Sequence, residues 1–112
     1  SWIRYEFLVE EQLFERLLQE IQRNNSIYAL DQYEKVLKKH LPNEVRDMYV
    51  KYVKNGAVRT ADRKAYKYLM SYLKKIATYP DGKKIVRDIA DCWKQDYKKR
   101  PAMMDELRKA GF

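Results

Sequence analysis

At 112 residues the chain is long enough to enclose one hydrophobic core without a disulfide or a metal to hold it. An apolar fraction of 46% excludes wholesale disorder even with 36% of residues charged, and three glycines with three prolines are too few for a many-turned β fold. The net charge of +8 suits acidic partners without specifying any.

The first helix is expected over 2–23, where Ile3, Phe7, Phe14, Leu17, Leu18 and Ile21 recur at spacings of three, four and seven, with glutamates opposite. Asn24-Asn25-Ser26 then offers a left-handed exit followed by an N-cap, and a second helix over 27–40 carries Leu30, Tyr33, Val36 and Leu37 inward. His40 closes its lysine-rich end, where a cation suits the helix dipole. Pro42 interrupts, and Asn43 is expected to cap a third helix over 43–55, with Val45, Met48, Tyr49, Tyr52 and Val53 buried and Asn55-Gly56 as its stop.

Thr60 is read as the cap of a fourth helix over 60–78, with Ala65, Tyr68, Leu69, Tyr72, Leu73 and Ile76 on its inner face. Tyr79-Pro80-Asp81-Gly82 is a turn. A fifth helix over 83–99 points Ile85, Ile89, Cys92, Trp93 and Tyr97 inward, so Cys92 is expected as a buried, inert thiol. After Arg100-Pro101 a short helix over 101–110 closes the core with Met103, Met104 and Leu107, joined by Phe112.

No stretch alternates apolar and polar residues with period two, so the fold is all-α and one domain spans 1–112. Short connections make about six helices pack as antiparallel hairpins, which either close into an orthogonal bundle or stack into a tetratricopeptide-like α-solenoid. Leu37-Lys38-Lys39 recurs as Leu73-Lys74-Lys75, and Val45-Arg46-Asp47 as Val86-Arg87-Asp88, which leans toward stacking. Neither a long apolar run nor a leader peptide occurs, so the chain reads as cytoplasmic with no membrane partner; its start at Ser1 reads as an excised or processed fragment.

One cysteine and one histidine cannot form an intramolecular disulfide or a four-ligand zinc site. There is no glycine-rich phosphate loop and no histidine placed beside a nucleophile, so no enzymatic role and no cofactor are expected. Charge is the remaining signal: residues 51–75 hold eight basic residues against Asp62 alone, while the first twenty residues hold five glutamates. Lysines with Tyr52, Tyr66, Tyr68 and Tyr72 nearby match what single-stranded nucleic acid exploits, although lysines on an outer face also simply keep a protein soluble. Most of those tyrosines fall on the expected core stripe, with Tyr66 the one off it.

The run Asp62-Arg63-Lys64-Ala65-Tyr66, with Tyr68-Leu69, Leu73 and Gly82, and then Tyr97 through Leu107 with its Arg100-Pro101-Ala102 and Asp105-Glu106-Leu107, resembles the C-terminal helical region of bacterial SWIM zinc finger proteins. Tyr33-Glu34 before Leu37, and Leu41-Pro42, are similar to the family's preceding helix, so the likeness covers 28–112. The finger's Cys-x-Cys and Cys-x-His are absent, and zinc would belong only to an upstream finger. The resemblance implies a tetratricopeptide-like tail. The functional expectation is a non-catalytic interaction or scaffolding module for a protein or peptide, with nucleic-acid binding as the alternative and self-association open. Candidate partner-binding residues are Arg63, Lys64, Tyr66, Lys67, Lys74, Lys75 and Arg100, with Arg63 and Arg100 also able to pair internally with a carboxylate or a helix end.

Overall fold

A computed structural model describes residues 4–112. It contains seven helices: α1 (Tyr5–Glu10), α2 (Phe14–Asn24), α3 (Ile27–His40), α4 (Pro42–Arg59), α5 (Arg63–Ile76), α6 (Gly82–Asp96) and α7 (Pro101–Lys109). Among the described residues there is no strand, and the fold is all-α. Trp2 and Ile3, placed in the expected first helix, lie outside the described residues. The chain divides into two compact units, one through Met48 and the other from Tyr49 to Phe112.

In the first unit the expected helix over 2–23 is broken. Gln12 takes a left-handed φ of 57°, and the Gln12 and Leu13 amides donate to the Val9 and Leu8 carbonyls at 3.0 and 2.8 Å. This double bond is the Schellman end of a helix, ordinarily built on glycine or asparagine. The break resets the helical register, so Leu8 is buried at 2% exposure while Phe7, expected inside, is 53% exposed. Beyond it the expected stripe resumes, and Leu17, Leu18 and Ile21 are buried. Asn25 closes α2 with φ 51°, and the Ser26 hydroxyl accepts from the Ala29 amide at 3.1 Å to start α3. Tyr5 meets Tyr33 edge-on at 5.7 Å, and His40 stacks on Phe14 at 4.1 Å.

α4 starts at Pro42, with Asn43 already inside it, and runs through Asn55-Gly56 to Arg59. The glycine expected as a stop is instead a packing site, because a Cβ there would lie 2.9 Å from Leu69 Cδ2. In the second unit Tyr49, Val53 and Ala57 form the buried stripe of α4. The cap of α5 is Asp62 rather than Thr60, its carboxylate accepting from the Ala65 amide at 2.8 Å.

α5 packs on both α6 and α7. Its apolar arc is therefore wide and rotated from the expected one: Tyr66, Leu69, Met70, Tyr72, Leu73 and Ile76 are buried, and Tyr68 is 58% exposed. After Asp81, with φ 56°, α6 buries Val86, Ile89, Ala90 and Trp93. Cys92 falls about 100° from Trp93 around that helix and is exposed, contrary to the buried thiol expected. Pro101 opens α7, Met103 and Leu107 are fully buried, and Gly111 with φ 89° ends it, the Phe112 amide donating to Leu107 at 2.9 Å.

Candidate interaction surface

The two arginines of the candidate set are engaged inside the second unit. Arg63, in the first turn of α5, donates from Nη1 to Asp105 at 2.7 Å and to Glu106 at 2.6 Å. Glu106 is 5% exposed, so the guanidinium neutralises a carboxylate that burial would otherwise penalise. Arg100 donates from Nη1 to the Ala57 carbonyl at 2.6 Å and the Thr60 carbonyl at 3.3 Å, satisfying orphan acceptors where α4 ends, and its guanidinium lies 4.2 Å from the Tyr97 ring centroid. These clasps join the segments that carry the resemblance: Asp62–Tyr66 meets Asp105-Glu106, and Arg100 holds the helix before them.

Arg63 holds the Asp105 carboxyl well below the usual carboxylate range, helped by Arg108 and Lys109, and Asp105 in turn holds the Arg63 guanidinium above its ordinary value. In the first unit Arg23 and Arg16 likewise lower Glu20 against the opposing effect of its burial. A carboxyl depressed in the folded state adds stability that is complete above its unfolded value of about 4 and is lost as pH falls toward the folded one. Asp105→Asn should therefore melt below the wild type at neutral pH, with the gap narrowing progressively as pH falls below about 4. A gap that stays constant to the acid limit would show that Asp105 is not ionically held.

Tyr66 does not belong to an exposed surface: it is 2% exposed, and its hydroxyl donates to the Thr60 carbonyl at 3.4 Å. Lys75 is half-buried, its ammonium 5.2 Å from the Tyr49 ring centroid and 5.7 Å from that of Tyr72. Lys64, Lys67 and Lys74 remain on the solvent side of α5. The residue missed from the candidate set is Tyr68, whose exposed ring sits 5.5 Å from the buried Tyr72 ring, which in turn touches Tyr49 and Tyr52. Lys64, Lys67, Tyr68, Ser71 and Lys74 follow the spacing of one helix face, and α5 contains no carboxylate from end to end.

The charge is divided by unit. Residues 49–112 carry 17 Lys and Arg against 7 Asp and Glu, a net of +10, whereas residues 1–48 carry 7 against 9, a net of −2. Among the described residues no group of three or more His, Cys, Asp or Glu side chains could hold a metal ion, and no helix is long and apolar enough to cross a membrane. No family model, curated protein or solved structure matches the chain.

Proposed function

We propose that the chain is a non-catalytic helical interaction module, acting in the cytoplasm and akin to the tetratricopeptide-like tail of bacterial SWIM zinc finger proteins, which docks an acidic protein segment on the outer face of α5. The observation that carries this reading is the composition of that face: exposed Lys64, Lys67 and Lys74 lie along one side of exposed Tyr68, with no carboxylate in the helix to neutralise them. An exposed aromatic ring backed by buried rings is already ordered, so a partner covering it loses little side-chain entropy. Lysines around such a ring favour partners bearing carboxylates and disfavour basic ones.

Nucleic acid is the second reading, favoured by the +10 of residues 49–112. Its stacking half is weakened, because Tyr66 and Tyr72 are spent in the core, leaving Tyr68 as the exposed ring on α5. Fluorescence anisotropy with a poly-glutamate peptide and with single-stranded oligothymidylate, each across a salt series, separates the two. The protein reading expects the peptide to bind and Lys64→Glu with Lys67→Glu and Lys74→Glu to weaken it at least about tenfold. Oligothymidylate binding alone, falling steeply with salt, transfers the face to nucleic acid. Equal peptide affinity in wild type and triple variant removes α5 as the docking face.

A further inference from the structure

The first unit offers a surface opposite in charge to α5. On α1 and its C-cap, Phe7, Glu10 and the capping Glu11 follow the spacing i, i+3, i+4, so they share one side of the helix end, and all three are exposed. Past the left-handed turn at Gln12, Leu13 is 47% exposed and Glu15 is exposed as well. The edge therefore presents an aromatic ring flanked by carboxylates, where α5 presents one flanked by ammonium groups.

We infer that the occupant of the α5 face is the α1 edge of a second copy of this chain, which names the partner of the docking face proposed above and rests on that reading. The spacing supports it as well as the charge. Glu11 lies four residues after Phe7, and Lys64 lies four residues before Tyr68; at 1.5 Å per residue each offset is about 6 Å. An antiparallel seating of α1 on α5 thus brings Phe7 onto Tyr68 and Glu11 onto Lys64 in the same register, with Glu10 beside Lys67. Offset ring packing at the centre supplies the apolar contact, and the ion pairs at its edge fix orientation. The overall charge of +8 opposes association of copies, but at physiological salt charges more than about 8 Å away are largely screened, whereas groups in contact are not. Because the two surfaces differ, the α1 edge of one copy meets the α5 face of the other rather than its own counterpart.

Sedimentation of the full chain across a concentration series tests this. The wild type is expected to gain mass with concentration in low salt and to lose that gain in high salt. Lys64→Glu with Lys67→Glu, or Glu10→Lys with Glu11→Lys, should each weaken association at least about tenfold while leaving the circular dichroism melt unchanged. Mixing the two variants should restore it, since each retains the face that the other lacks. A wild type that stays monomeric throughout, or variants that fail to pair when mixed, overturns the inference. Poly-glutamate binding measured on the same samples separates this failure from that of α5 as a docking face: where association fails, peptide binding lost only in the Lys64→Glu, Lys67→Glu variant keeps the face and rejects only the second copy, whereas peptide binding unchanged in both variants rejects both.

Discussion

Gly82→Ala is expected to destabilise the second unit by about 3–5 kcal/mol, near the upper end of single substitutions. A Cβ built on Gly82 would lie 2.0 Å from the Ile76 carbonyl oxygen and 3.0 Å from its carbon, with the Ala77 carbonyl carbon at 3.1 Å. These are backbone atoms in the last turn of α5, so no rotamer change relieves the clash, and α6 has to move away from α5. The turn offers little slack, because the Tyr79 amide donates to the Ile76 carbonyl and the Gly82 amide to the Tyr79 carbonyl, both at 2.9 Å. Displacing α6 would also uncover Tyr79 and Val86, buried at 4% and 1% exposure. Gly56→Ala is the internal control: its new methyl meets only the tip of the Leu69 side chain, which can turn aside, and alanine gains about 1 kcal/mol of helix propensity. Urea denaturation compares them, and a Gly82→Ala midpoint no lower than that of Gly56→Ala would contradict the backbone clash.

That contrast shows which parts of the fold the residue pattern discloses. Both glycines look like helix stops, since glycine next to asparagine or aspartate is the usual signature of a turn. At Asp81-Gly82 the signature holds. At Gly56 it fails because α4 runs on through the glycine to Arg59, packed against the Leu69 side chain, a tertiary setting that no local rule encodes. Periodicity was sufficient for the all-α class and for the helices around Leu17, Leu37, Leu73 and Leu107, where apolar side chains recur with a pitch near 3.6 residues. Asn25 and Ser26 were equally legible, because left-handed backbone and N-cap chemistry belong to those residue types. Gln12 was not, since glutamine carries no such preference and the glutamate-rich stretch around it reads as continuous helix.

The candidate surface was legible in its charge and misread in its aromatic residue. Lys64, Lys67 and Lys74 stand on the outer face whichever way α5 is turned by a few tens of degrees. Tyr66 and Tyr68, two residues apart, are about 200° from each other around the axis, so the choice of inward face decides which one is exposed. Both satisfy an amphipathic pattern with Leu69 and Leu73. What selects Tyr66 for the core is that α5 must cover α7 as well as α6, and that the Thr60 carbonyl is within reach of its hydroxyl. Arg63 and Arg100 were ambiguous for a different reason: a guanidinium suits a partner's carboxylate and an internal one equally well, and only the fold brings Asp105, Glu106 and the end of α4 within reach.

The tyrosine cluster beneath the surface allows stability and docking to be separated. Tyr49 is fully buried, with its ring centroid 5.6 Å from that of Tyr72 and 6.1 Å from that of Tyr79, and the Lys75 ammonium over its face. Tyr49→Ala removes a large side chain at a point where helix backbones are fixed by several neighbours, so the cavity cannot collapse fully, and a loss of about 3–5 kcal/mol is expected. Tyr68→Ala takes away a ring whose outer side already faces water, and should cost under about 1 kcal/mol. Binding should reverse that order. Under conditions where both variants remain folded, Tyr68→Ala is expected to weaken poly-glutamate docking several-fold, because it deletes the contact centre, while Tyr49→Ala acts on docking only through the seating of Tyr72 beneath it. Thermal melts paired with anisotropy titrations read both quantities on one preparation, and a Tyr68→Ala protein that binds as tightly as the wild type would leave the lysines alone as the attraction on α5.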